Sequence, residues 1–214
     1  MKKIMFSDEF MLTQAVLEGR KTQTRRLLTL TLHKKADRGN ALIEVSPSKV
    51  FFEDGKWKFV YDDYVFLLPK ENYPKYDVVE VVAVAQSYRD CGGINEEGVP
   101  MWEIISQKVG STNAGWNNKM FVVSSLMPHQ IRITDVRVEK LQDISDEDCI
   151  KEGIQKMLTG CEYYQYSFYD NDKGLWNNYK TPREAFAHLI NKVSRKDVWS
   201  LNPYVFVYDF ELVK

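Results

Sequence analysis

The sequence predicts an α+β fold with a mainly antiparallel, barrel-like sheet and short flanking helices. Three observations carry that expectation. Strand-like alternation recurs along the chain, most clearly where Tyr204, Phe206, Tyr208, Phe210 and Leu212 occupy every second position. Helix signals are short and do not alternate with strands in the βαβ rhythm of a parallel sheet. Aromatic residues make up 13% of the chain, which suits pleated surfaces better than a helical bundle.

From the N-terminus, Ser7 is placed to cap a helix over 8–18, with Asp8 and Glu9 in its first turn, Phe6 stapled onto Met11 and Gly19 as the stop. The Gly19–Arg26 stretch then reads as extended, and Leu28, Leu30 and Leu32 alternate with Thr29 and Thr31 as its continuation. Residues 33–49 are polar and read as a loop or insertion. A hairpin follows, with 50–53 and 57–61 folded about Asp54-Gly55. Residues 78–84 read as an inner strand carrying one charge, Glu80. Glycines make 89–118 mostly loop, with a short helix near Trp102 to Ile105. A long strand is expected at about 129–140, with a bulge near Asp135. Ser145 caps a second helix that stops at Gly153. Thr181-Pro182-Arg183-Glu184 is a capping box that opens a third, whose buried stripe is Phe186, Leu189, Ile190 and Val193.

Composition bounds the function. With 29 Lys plus Arg against 30 Asp plus Glu, the formal charge is -1, which excludes a uniformly basic nucleic-acid coat but not a local basic site. Cys91, Cys149 and Cys161 form no CxxC pair and have no neighbouring His, so buried or inert thiols are expected rather than disulfides or zinc. No cofactor is called for by any phosphate loop, metal spacing or Ser-His-Asp order. His33, His129 and His188 are isolated and read as surface or packing residues. The N-terminal segment meets Asp8 and Glu9 too early for a signal peptide, and no apolar run reaches the length of a membrane span, so a cytoplasmic protein is expected.

The most unusual segment is Arg20 to Arg26, in which Arg20, Lys21, Arg25 and Arg26 accompany two Thr and no acid. It fits a solvated strand edge or a polyanion site in which guanidinium forks meet phosphates. Lys21 and Thr24 also form an amine–hydroxyl pair of the type that activates an alcohol nucleophile. An ideal strand points them to opposite faces, so cooperation requires an irregular start to the strand, which Gly19 favours. Asp146, Glu147 and Asp148 suit a helix N-terminus, whereas Glu152 sits at the unfavourable C-terminal end, on the surface or held there to meet a cation.

At Gly19-Arg20-Lys21-Thr22-Gln23-Thr24-Arg25-Arg26 the sequence resembles the ASCH domains of the PUA-like superfamily. Residues 80–88, the block 132–145 with Glu152-Gly153-Ile154, and residues 199–210 are similar to the longer bacterial and phage-associated branch. The chain departs from many of those relatives at Ala85-Gln86-Ser87-Tyr88, where they carry Arg-Glu-Thr-Trp. The resemblance implies a single domain over 1–214, a small PUA-like β-barrel with insertions at about 33–75 and 89–125, and a cleft that binds RNA or a modified nucleoside. Some relatives are amidohydrolases that deacetylate N(4)-acetylcytidine. Carried over by motif, Lys21 becomes the proton acceptor, Thr24 the nucleophile and Glu152 the proton donor. Arg26 becomes the oxyanion or phosphate contact, with Arg20 and Arg25 as further nucleic-acid contacts. Trp116, Trp176, Tyr163, Tyr164 and Tyr166, expected in loops, either stack on bases or pack beneath those loops. Three functions stay open: RNA or nucleoside binding, amide hydrolysis, and a protein-interaction module without a nucleic-acid ligand.

Overall fold

The C-terminal strand β13 (Tyr204–Leu212) is an inner strand of the main sheet, next to one edge. Val205, Phe206, Val207 and Tyr208 are all buried, so both of its faces are covered. It pairs antiparallel with β9 (Gln130–Lys140) on one side and β2 (Gln23–Leu27) on the other. β8 (Val81–Val84) adds antiparallel to β9, and β1 (Lys3–Ile4) ends that edge in parallel. The computed structural model describes residues 1–36, 39–92, 94–95, 97–160 and 163–213, and of residues 31–36 and 39–44 the backbone alone.

Smaller sheets surround this one. β3 (Leu30–Ala36) pairs with β4 (Gly39–Val45). β5 (Lys49–Glu53), β6 (Lys56–Tyr61) and β7 (Tyr64–Leu67) form a meander. β10 (Gln155–Leu158), β11 (Tyr164–Asp170) and β12 (Leu175–Tyr179) form another. The α+β class and the antiparallel bias are as expected. The expected barrel is not closed: among the described residues the main sheet ends at β1 and β2, and the other strands pair locally instead of bridging those edges.

Helices α1 (Leu12–Leu17), α2 (Met101–Val109), α3 (Asp146–Lys151), α4 (Pro182–Ser194) and α5 (Val198–Leu201) flank the sheets. The caps of α3 and α4 are as expected. Ser145 Oγ accepts from Asp148 N, and Thr181 with Glu184 completes the capping box. The first helix differs. It begins only at Leu12, because Met11 is left-handed (φ 56°) and Ser7 contributes its carbonyl, accepting from Leu12 N, rather than a side-chain cap.

Other boundaries move for local reasons. The expected loop at 33–49 is largely the β3–β4 ladder, whose apex at 37–38 lies outside the described residues. The inner strand starts at Val81 rather than Val78, since an Asp77–Glu80 turn puts exposed Val79 at φ 63°. The α2 helix runs to Val109, beyond the expected Ile105. The Asp54-Gly55 turn is as read, with both residues at positive φ, and Asp62-Asp63 repeats it to launch β7. The bulge lies at Thr134: Asp209 faces Asp135 while Phe210 faces Ile133, leaving Thr134 as the extra residue.

Candidate functional site

The Gly19–Thr22 segment is irregular, as cooperation between Lys21 and Thr24 requires. Gly19 turns the chain at φ 70°. Arg20 N and Lys21 N both donate to Ala15 O, and Thr22 N donates to Lys151 O at 3.0 Å. The segment is thus slung between the ends of α1 and α3 before β2 begins. Opposite it, Glu152 caps the C-terminus of α3, and Gly153 reverses the chain at φ 109°. A Cβ on Gly153 would stand 3.1 Å from Leu12 Cδ2, so the close approach of this turn to α1 needs glycine.

The two segments meet in a buried ionic cluster. Lys21, only 2% exposed, donates from Nζ to Glu152 Oε2 (2.5 Å), Glu152 O (2.7 Å) and Gln23 O (2.8 Å). All the protons of the ammonium are therefore engaged. Arg25 donates to Glu152 Oε1 at 3.1 Å, to Glu139 Oε1 at 2.5 Å and to Gln23 Oε1, and lies 3.4 Å from Asp148 Oδ2. Burial pulls the Lys21 ammonium below its ordinary value, against the attraction of Glu152. Burial also opposes the charge of Arg25, but Glu152 and Glu139 outweigh it and raise the guanidinium. Burial works against the Asp148 carboxylate too, and Lys151, Arg25 and Gln23 overcome it and hold the group low.

Above this cluster lies a cavity of about 60 Å³. Lys21, Thr24, Arg25, Arg26 and Glu152 form its polar wall, and Phe6, Leu12, Phe186 and Leu189 its apolar one. The Thr24 hydroxyl makes no hydrogen bond among the described residues. Arg26 donates to Met5 O at 2.6 Å and lies over the Phe6 ring, 5.7 Å from its centroid. The structure therefore brings together Lys21, Thr24, Glu152, Arg25 and Arg26. It leaves Arg20 outside, paired with Glu18 at 2.5 Å on the far side of α1.

Sequence reasoning missed Gln23, Glu139, Asp148, Arg137 and Phe186. A signal for Gln23 was present, since Lys21, Gln23 and Arg25 share one parity. Glu139 and Arg137 required the strand register, which sets Arg25, Val207 and Arg137 in one row and Leu27, Val205 and Glu139 in the next, while Asp148 and Phe186 required the packing of α3 and α4. Arg137 then bridges to Asp209 and Asp148, and Phe186 comes under the Arg25 guanidinium.

The aromatic residues expected in loops sit mostly on strands. Tyr164 and Tyr166 are on β11 and Trp176 on β12, while Trp116 lies in a short 3-10 turn, packed against a second core cluster with Tyr88 and Ile105. Cys91 and Cys149 are buried, and burial pushes both thiols up to about 12; Cys161 lies outside the described residues. His188 packs on Tyr179. Among the described residues no His, Cys, Asp or Glu group could hold a metal ion, and no helix is long and apolar enough to cross a membrane. Set against protein-family models, curated proteins and solved structures, the chain matches none of them.

Proposed function

We propose that this chain is an ASCH-type, PUA-like module that takes a modified nucleoside at the cavity over Lys21, Thr24 and Glu152 and hydrolyses an amide of the N(4)-acetylcytidine type there. The observation that carries the reading is the convergence of these residues, from segments 131 positions apart, on one cavity where the Thr24 hydroxyl is unengaged. In this reading Thr24 Oγ bonds to the acetyl carbon as its proton passes to Lys21. The C–N bond then breaks, and the departing nitrogen takes a proton from Glu152. Water later frees acetate from the Thr24 ester. Arg26 faces the developing oxyanion.

Such a step needs a neutral amine and a neutral acid at the outset. One proton moved from Lys21 Nζ to Glu152 Oε2, across 2.5 Å, sets both at once. On the Lys21 side burial favours the neutral amine, because it penalises the charged form, against the attraction of Glu152. General acid–base help of this kind is worth about 10²–10⁴-fold. A space of about 60 Å³ is well under the ~300–1,000 Å³ of ordinary ligand pockets. The acetyl group therefore enters, while base and ribose rest at the mouth. Such a protein would work in the cytoplasm, where its RNA is.

Binding without turnover is the second reading, and the engagement of all the Lys21 protons favours it. The test is release of cytidine from N(4)-acetylcytidine, followed by chromatography. Turnover that disappears in Thr24→Val, a variant that keeps the shape and removes the hydroxyl, supports hydrolysis. Release no greater than a buffer blank sinks it. Saturable binding of the same nucleoside then separates the binder from an interaction module.

A further inference from the structure

Arg20 and Trp176, both singled out in the sequence and neither part of the cavity, line one surface hollow of about 360 Å³. One wall is the exposed side of α1, through Gln14 and Glu18, and the other is the outer face of the β10–β12 sheet, through Gln155, Tyr169 and Trp176. Tyr169 and Trp176 are directly opposed across β11 and β12, with ring centroids 5.2 Å apart at 59°. Gln155 pairs with Ser167, two residues from Tyr169, so its side chain shares that face.

The charges inside the hollow cancel. Glu18 accepts from Gln14 Nε2 at 2.8 Å and from Arg20 at 2.5–2.6 Å, and these contacts, Gln14 foremost, hold its carboxyl below the usual value. What remains on offer is neutral. Trp176, 38% exposed, presents a ring, and the Gln155 amide makes no hydrogen bond among the described residues. A ring to stack on beside an unengaged amide is the chemistry that reads an unpaired nucleobase, by stacking and by hydrogen bonds to its edge.

We propose that this hollow is a base-binding subsite, which takes one unpaired nucleotide of a single-stranded RNA. Arg20 adjoins Lys21, and Gln155 lies three positions beyond Glu152, so the hollow and the cavity are built on the same two segments. The choice of a base over a sugar ring, which also stacks on Trp, rests on the nucleoside reading of the cavity.

The test is the affinity for an unmodified single-stranded RNA hexamer, read by fluorescence anisotropy, so that it does not depend on any hydrolysis. Trp176→Ala should weaken binding roughly 5- to 150-fold, the range found for removal of one stacked base contact. Trp176→Phe should restore most of the affinity, which a collapsed sheet would not allow. Gln155→Ala, which leaves both rings in place, should also weaken it. Wild-type affinity in both Trp176→Ala and Gln155→Ala overturns the subsite, even where the cavity deacetylates free nucleoside. So does Trp176-dependent binding of a neutral oligosaccharide with no RNA binding. Trp176-dependent RNA binding in a protein that releases no cytidine upholds the subsite and removes only the hydrolase reading.

Discussion

Arg20 and Lys21 are chain neighbours that live in opposite electrostatic worlds. Lys21 is sealed among Gln23, Glu152 and Arg25, with every proton directed at an oxygen. Arg20 lies at the rim of an open hollow, with its guanidinium on an exposed Glu18. The same split recurs at the other end of the segment. Arg25 is enclosed by carboxylates, while Arg26 reaches a backbone carbonyl at the exposed edge. A basic run in a sequence is thus not one site. Alternation divides it into cations buried with carboxylates beneath the cavity and cations at the surface.

The largest expected effect tests that division directly. Lys21→Met leaves Glu152 buried with only Arg25 to balance it, and breaking a buried pair costs about 3–5 kcal/mol. Arg20→Met removes an exposed pair worth about 0–1 kcal/mol. Urea unfolding of both variants measures the contrast, and equal losses would break it. The Lys21 term also has a pH signature. Its native pKa lies below the ordinary 10.5, so over that interval the unfolded chain binds more protons than the native one. Stability attributable to Lys21 therefore rises with pH. The gap between wild type and Lys21→Met should widen as pH climbs toward 10.5.

Two glycines sharpen the same contrast at the level of the backbone. Gly153 sits at φ 109° with Leu12 within 3.1 Å of any added Cβ, whereas Gly19, at φ 70°, faces open space. Gly153→Ala combines backbone strain with a close contact under the cavity, at a cost of about 1–3 kcal/mol, and should displace Glu152 enough to reduce nucleoside turnover or binding. Gly19→Ala carries the left-handed penalty alone, about 1–2 kcal/mol. Melting temperatures with a parallel nucleoside assay separate them. A smaller effect is expected on the acid side. Asp148 titrates below its ordinary 3.8, so its contribution is present above that pH and lost as pH falls through the native value. Asp148→Asn should flatten the acid limb of a stability–pH curve measured between pH 2 and 6, and leave the alkaline limb unchanged.

What was legible in the sequence follows the range of the forces. Capping at Ser145 and Thr181, the Asp54-Gly55 turn and the alternation of β13 are set by neighbours in the chain, and they stand where expected. Lys21, Thr24 and Glu152 were expected together only through the family resemblance, and the irregular start after Gly19 was legible as a condition for it. The partners of Arg25 were not, because Glu139 reaches it only through the pairing of β2, β13 and β9, and Asp148 only through the packing of α3 against β2. β7 was missed because all four of its residues are exposed, leaving no burial pattern to read. The barrel was expected from strand count and aromatic content, neither of which specifies which edges meet.

The smallest effect concerns salt. Were all seven cations from Arg20 to Arg38 to meet phosphates, log affinity for single-stranded RNA would fall against log salt with a slope near -5, at ~0.7 per contact. Lys21 and Arg25 are buried and committed to Glu152, Glu139 and Gln23, so neither is offered to a backbone phosphate. Of the cations between residues 20 and 26, only Arg20 and Arg26 can contribute, together about 1.4. Replacing both with Gln should therefore shallow the measured slope by no more than that, and Arg26→Gln should account for most of it, because Arg20 is already paired with Glu18. A larger change would mean that the buried rank opens to phosphate, and the division between buried and surface cations would fall with it.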